Sequence, residues 1–245
     1  MTKPTNWERA RDWILESISA QALGAGDRLP PEQDIQRASG VGRHSVRRAV
    51  AALAADGLLS VEQGRGTYVR ARRPAILYRI SSRTRFRENL LSQGVAPGGD
   101  AIDAAIVPAG KAAARALDLP TGTPVHRLLR RGRADGRPIN LTCSFHPADR
   151  FPDLAHRRQQ GVSVSDIYRD HGIADYRRRQ TTLFARLPES WEARILEQPA
   201  AQPVMVMCKT DIDLDGRPIG HAEAIWAAGR VRFMLDLAGE EAEDA

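Results

Sequence analysis

Apolar residues recur at helical spacing three times in the first third of the chain and then give way to alternation. Trp7, Ala10, Ile14 and Ile18 mark a first helix, and Thr5-x-x-Glu8 ahead of it has the form of a capping box, in which each side chain satisfies a free backbone N–H of the helix start. Pro30 and Pro31 open a second helix, where a missing N–H costs nothing, with Ile35 and Ala38 facing inward. Ser39-Gly40-Val41-Gly42 is a turn whose glycines permit a sharp reversal. The third helix carries Val46, Ala49, Val50 and Leu53 on one face and is closed by Gly57 as a C-terminal cap. Short strands at 58–61 and 67–69 flank the tight turn Gly64-Arg65-Gly66. Helix, helix, turn, helix and hairpin in this order predict a winged helix-turn-helix.

The polar positions give that pattern a purpose. Arg43, His44 and Arg47 project from the first turns of the third helix, away from its apolar face, as major-groove reading requires. Arg65 stands on the wing between two residues with no side chain to obstruct a phosphate or a minor groove. Scattered arginines on a helix are ordinarily a solvated face; the adjoining wing favours DNA. Charge agrees: residues 1–73 hold 12 Lys+Arg against 8 Asp+Glu, an excess of +4, whereas the rest holds 24 against 22, an excess of +2. The basic, proline-containing stretch 70–74 is the expected boundary, giving a winged helix-turn-helix over 1–73 and a second domain over 74–245.

The second domain contains a repeat. Ala114-Arg115-Ala116-Leu117 with Pro124-Val125 recurs as Ala193-Arg194-Ile195-Leu196 with Pro203-Val204, and Asp135-Gly136-Arg137-Pro138-Ile139 recurs as Asp215-Gly216-Arg217-Pro218-Ile219. Each unit reads as helix, strand, turn, strand, the Asp-Gly pairs favouring two-residue hairpin turns. Strands are expected at 125–133, 139–145, 204–214 and 219–226, further strands at 101–107, 177–185 and 231–235, and helices at 85–93, 165–171 and 189–196. The result is an α+β domain, a pseudo-twofold antiparallel sheet with helices against it and a ligand pocket between its halves. Ser82 or Thr84 can cap the helix near Phe86, and its free N–H groups beside Arg83, Arg85 and Arg87 form an anion site.

The blocks GDRLPPEQDI, VGRHSVRRAVAALAADGLL and QGRGTYV resemble the DNA-binding domain of GntR-type bacterial repressors over its whole length. That resemblance implies that Glu32, Arg43, His44, Ser45, Arg47, Gly64, Arg65 and Gly66 form the operator surface. Gln33 stands where the family often has arginine, so one phosphate contact is missing. Residues 77–237 resemble the effector-sensing domain of UTRA type, with a chorismate-lyase-like fold, that defines the HutC subfamily. Within it RTRFRENLLSQG, residues 83–94, is most similar to regulators of phosphonate uptake and breakdown. The resemblance implies an effector site at Thr84, Arg85, Phe86, Arg130, Thr142, Ser163 and Trp226. It carries two family arginines on one strand to Arg130 and Gly132, the glycine opening space for an organic substituent. Thr142 replaces a common glutamate, and Trp226 stands where the family has an aromatic hydroxyl, a position that suits a core aromatic better than a ligand contact. Alternation sends Arg131 and Arg133 to the opposite face unless a bulge intervenes.

The remaining chemistry narrows the class. Cys143 and Cys208 fit no metal-ligand spacing and read as reduced thiols. No apolar run approaches the ~20 residues of a membrane span and no secretory segment opens the chain, so a cytoplasmic protein is expected. HExxH, GxSxG and P-loop signatures are absent and His126, His146, His171 and His221 are scattered, so neither metal, cofactor nor catalysis is expected. The expectation is a homodimeric regulator, a repressor, that binds a double-stranded operator and responds to a small anionic effector, a phosphonate or phosphate ester. A sugar phosphate or carboxylate effector, a lyase-like enzyme and a constitutive DNA-binding dimer are the alternatives.

Overall fold

The computed structural model describes residues 4–70 and 74–235, so Arg72 and Arg73 of the expected basic linker lie outside the described residues. The chain divides into two compact units, 1–74 and 75–245.

In the first unit α1 (Asn6–Ala20), α2 (Glu32–Ser39) and α3 (Arg43–Ala55) enclose a core of Ala10, Ile14, Ile35, Val46, Ala49 and Leu53, each at most 1% exposed. Each large aliphatic side chain buried there contributes about 1.5–3 kcal/mol. At the start of α1 the Glu8 carboxylate accepts from the Thr5 N–H and hydroxyl, both at 2.7 Å. Gly40 ends α2 in the left-handed region at φ 67°, and its N–H bonds the Gln36 carbonyl. Ala38 is exposed rather than inward, because the one buried position of so short a helix is Ile35.

Helix α3 ends in a Schellman motif. Gly57 sits at φ 74°, the Leu58 N–H bonds the Leu53 carbonyl and the Gly57 N–H bonds the Ala54 carbonyl. Strand β1 (Leu59–Glu62) follows at once and pairs antiparallel with β2 (Gly66–Val69). The chain before α2 stitches onto the far side of β2, through Gly26 N to Val69 O, Val69 N to Asp27 O and Leu29 N to Thr67 O, each 2.8 Å.

The second unit is α+β, as expected. It begins with β3 (Ile76–Ile80) and α4 (Phe86–Leu91), followed by β4 (Pro97–Pro108), α5 (Lys111–Ala116), β5 (Pro124–Ala134) and β6 (Arg137–Pro147). Helices α6 (Leu154–Gln159) and α7 (Val164–Asp170) lead into β7 (Arg177–Arg186), α8 (Ser190–Ile195), β8 (Val204–Ile212), β9 (Pro218–Ala227) and β10 (Val231–Leu235). The six-stranded antiparallel sheet has the order β4-β5-β6-β9-β8-β7. The repeat is visible in it: β4-α5-β5-β6 and β7-α8-β8-β9 are equivalent halves meeting along β6 and β9. Helices α5 and α8 cover one face over Leu117, Val125, Leu141, Val206 and Ile225, while α4, α6 and α7 lie on the other.

Three features depart from the sequence reading. Asp135 and Gly136 both take positive φ, as a two-residue hairpin requires, but at the second Asp-Gly pair only Gly216 does. There the strands end at Ile212 and Pro218, and Asp213 closes a wider loop by accepting the Arg217 N–H on its carboxylate at 2.8 Å. Strand β10 joins not the large sheet but β3, in a parallel pair. Helix α6 was not anticipated.

Candidate nucleic-acid interface and effector site

On the first unit, Arg43, His44 and Arg47 are exposed in the opening turns of α3, with Ser45 partly covered beside them. Arg47 is not free of contacts, as its outward direction suggested. The Glu32 carboxylate at the start of α2 pairs with Arg47 Nε at 3.1 Å and with Arg43 Nε at 3.8 Å. Glu32 therefore orders the two arginines in the absence of DNA, and an anion presented to this face repels it. On the wing, Arg65 is the most exposed of these side chains at 79%, between Gly64 at φ 77° and Gly66 at φ 130°. A side chain on Gly66 would meet Arg28 Nε at 2.6 Å, so the Arg28 guanidinium fills the space the glycine leaves. Arg28 thus adds a second cation at the wing, which the sequence offered no means of placing there.

On the second unit, register decides which side chains share a surface. Arg130 pairs with Thr142 and Thr142 with Ala224, so these three point to the face carrying α4, α6 and α7. Arg131 and Arg133 point to the opposite face, paired with Asp100 at 2.8 and 2.9 Å and approached by Glu197. A bulge does occur at Gly132, but its extra residue is Ile139 on β6, so β5 keeps its own alternation. Arg130 is the strand arginine on the face that carries α4, α6 and α7.

Its companion comes from a different element. Arg130 Nη1 donates to the Arg158 carbonyl at 2.8 Å, and the Arg158 guanidinium reaches the Val162 carbonyl. Neither arginine forms an ion pair among the described residues. Burial pulls the Arg130 guanidinium below its ordinary range; burial and the neighbouring Arg130 pull Arg158 down to about 10. Sequence reasoning missed Arg158 because it missed α6, although Pro152 before the helix and Gly161 after it, at φ 87°, are start and stop signals.

Other expectations are corrected. Gly132 does not open space: a side chain there would lie 2.1 Å from Asn140 Oδ1 and 3.2 Å from Phe86 Cζ, so the gap is already filled across the strand. Neither Ser82 nor Thr84 caps α4, whose N-cap is Arg85; Thr84 Oγ1 instead accepts from the Ser81 N–H at 2.6 Å. Arg85 is not an open anion clamp, since it bonds Asp175 at 3.1 Å and the Tyr176 carbonyl, its guanidinium 3.4 Å from the Tyr176 ring centroid. Ser163 is engaged as N-cap of α7, accepting from the Asp166 N–H at 3.1 Å. Trp226 is a core aromatic, 2% exposed and 4.6 Å from Tyr78 between ring centroids, and Phe86 packs beside it. Among the described residues no group of three or more His, Cys, Asp or Glu is placed to hold a metal ion, and no helix is long and apolar enough to cross a membrane.

Comparison with known proteins accounts for both units. The family described as bacterial regulatory proteins, gntR family, matches residues 6–69, and the UTRA domain matches 92–232. A helix-turn-helix type transcriptional regulator of Rhizobium meliloti (strain 1021), itself uncharacterised, is 37% identical over 94% of each chain. The helix-turn-helix type transcriptional repressor PhnF of Mycolicibacterium smegmatis is 28% identical over 85% of this chain and 83% of its own. The crystal structure of PhnF from Mycobacterium smegmatis superposes with a TM-score of 0.64 at 25% identity, covering 94% of this chain and 100% of that one. These relatives are regulators and not enzymes, and the exposed basic helix and wing followed by an effector-type sheet domain are their architecture: the chain belongs to the GntR family of bacterial transcriptional regulators, in its UTRA-containing HutC branch.

Proposed function

We propose that this regulator is a homodimeric repressor whose operator is released when the second domain takes up a small doubly charged oxyanion, a phosphonate or phosphate ester. The observation that carries the reading is the pair Arg130 and Arg158, partly buried side by side without a carboxylate between them. Two guanidinium groups so placed repel each other and are poorly solvated, and a dianion relieves both effects at once. A tetrahedral oxyanion also matches the fixed fork of arginine better than a neutral sugar does. The effector acts by preferring one arrangement of the dimer, and shifts it only by its differential affinity for the two states.

On the DNA side, a twofold dimer calls for a near-palindromic site, and exposed arginines make its binding steeply salt-dependent. Arg43, His44, Ser45 and Arg47 supply the reading helix and Gly64, Arg65 and Gly66 the wing, with Glu32 setting the arginines. The protein works in the cytoplasm, where the chromosome is.

Calorimetry of the full chain with propylphosphonate, glycerol phosphate and propanoate tests the effector. Heat with the first two, release of a selected operator, and loss of both responses in Arg130→Ala with operator binding retained are expected. Binding by propanoate alone, or an undiminished response in Arg130→Ala, would sink the reading. A monomer in sedimentation at operator-binding concentrations would remove the dimer.

A further inference from the structure

The pseudo-twofold places a second polar group on the face of the sheet that carries Arg130. Lys209 follows Arg130 by 79 residues, the offset that also relates Val204 to Val125, so the two cations occupy equivalent places in the two halves. Register puts them on one surface: Arg130 aligns with Thr142 and Ala224, and Lys209 with Ala222 and Ser144. Between the long side chains the sheet therefore presents only the short ones of Thr142, Ser144, Ala222 and Ala224. Three inter-strand steps of about 4.8 Å set the two backbones roughly 14 Å apart, with Arg130 reaching the Arg158 carbonyl and Lys209 the Asp211 carboxylate.

The end at Lys209 is incompletely satisfied. Lys209 pairs with Asp211, two residues on along the same face, and Asp211 Oδ1 lies 3.7 Å from Arg178 Nε. The Arg178 side chain is only 5% exposed, yet its Nε and Nη1 have no hydrogen-bond acceptor, while the rest of its guanidinium is shared between the Thr84 carbonyl, at 3.5 Å, and the Tyr78 hydroxyl. Arg85, close enough to act on both Lys209 and Asp211, is already committed to Asp175 and Tyr176. With Arg83 also on Asp175, four cations thus share two carboxylates, and burial pulls the Lys209 ammonium below its ordinary range despite Asp211. Buried guanidinium N–H groups without acceptors are costly, and an oxyanion supplied by a ligand repays that cost.

We propose that the effector is bipolar: a phosphonate or phosphate head held by Arg130 and Arg158, and a second anionic group, a carboxylate in the simplest case, held by Arg178 and Lys209. This rests on the phosphonate reading of the Arg130 end and extends it to the other half of the repeat. The two groups sit at opposite ends of a floor of small side chains, so a spacer separates them and they do not share one carbon.

Calorimetric titration of the full-length protein with 3-phosphonopropanoate and with propylphosphonate, at one pH and ionic strength, isolates the second group. The carboxylated ligand should bind about tenfold more tightly or better, the worth of a charge-assisted hydrogen bond. Lys209→Met and Arg178→Met should each abolish that preference while still binding propylphosphonate, and Arg130→Ala should weaken both ligands. Lys209, partly exposed, keeps the comparison decisive if the Arg178 variant fails to fold. Equal affinities in the wild type, or a preference that survives Lys209→Met, overturns the bipolar proposal and leaves the Arg130 reading standing. Binding of neither ligand overturns both.

Discussion

Replacing Arg158 by methionine separates what the arginine pair does for the ligand from what it does to the fold. The guanidinium falls from its ordinary range to about 10, through burial first and Arg130 second. That fall corresponds to about 3 kcal/mol spent in holding the cation charged in the folded domain. The folded state binds fewer protons than the unfolded one only above about pH 10, so stability recovers with rising pH only there. At neutral pH both states are protonated and the whole unfavourable term is present. Methionine keeps an unbranched apolar stem but gives up the charge-assisted bond to the Val162 carbonyl, about 1.5 kcal/mol. The ligand-free variant should therefore be more stable by roughly 2 kcal/mol, raising the Tm of a domain of this size by roughly 4–8 °C. Differential scanning calorimetry with and without propylphosphonate reads both consequences: the variant melts above the wild type, and the ligand that raises the wild-type Tm leaves the variant unmoved. A variant that melts below the wild type refutes the electrostatic argument, and one that keeps the ligand shift removes Arg158 from the site.

Three further outcomes follow from the geometry. Arg47→Ala should weaken operator binding by about 1–3 kcal/mol in fluorescence anisotropy, with an unchanged Tm because an exposed pair such as Arg47–Glu32 contributes little to stability; undiminished affinity takes Arg47 off the contact surface. His146 is buried and held down to about 3 from its ordinary 6.5, so the unfolded chain takes up a proton there before the folded one does. Stability is then complete above pH 6.5 and declines as pH falls towards 3, and a Tm–pH profile no shallower in His146→Gln would contradict this. Gly220→Ala would set a methyl group 2.6 Å from the Tyr168 hydroxyl oxygen and 2.9 Å from His146. It should lower the unfolding free energy by about 1–3 kcal/mol in urea, and full wild-type stability would show that the pair yields freely.

What could be read beforehand was what local chemistry dictates. The capping pair Thr5 and Glu8, the left-handed glycines at 40 and 57 and the apolar face Val46–Ala49–Val50–Leu53 all act within a few residues of themselves, and the winged helix followed from them. The two halves of the second domain were legible because the chain states them twice. What escaped depends on partners distant in sequence. Strand β3 is a short apolar run whose partner lies beyond residue 230, and nothing near it announces a parallel pairing. Gly132 reads as empty space because a missing side chain is visible in a sequence, whereas Asn140, folding across from the next strand to fill it, is not. Thr84, Arg85 and Ser163 have the composition of an anion clamp, yet the loop and helix start they sit in use up most of their hydrogen bonds.

The joint between α3 and the wing has a consequence for how a signal can reach DNA. Asp56, Gly57 and Leu58 alone separate the reading helix from β1, all three are fixed by bonds back into the helix, and the segment before α2 is laced to β2. Helix, wing and entry strand are therefore one casting with no internal hinge. Within one head the helix and the wing keep a constant spacing whatever happens elsewhere in the protein, and no effector can detune one and spare the other. Control must come as a change in where the whole head is carried, so in the proposed dimer the operator's half-site sequence and the distance between half-sites are free to evolve separately.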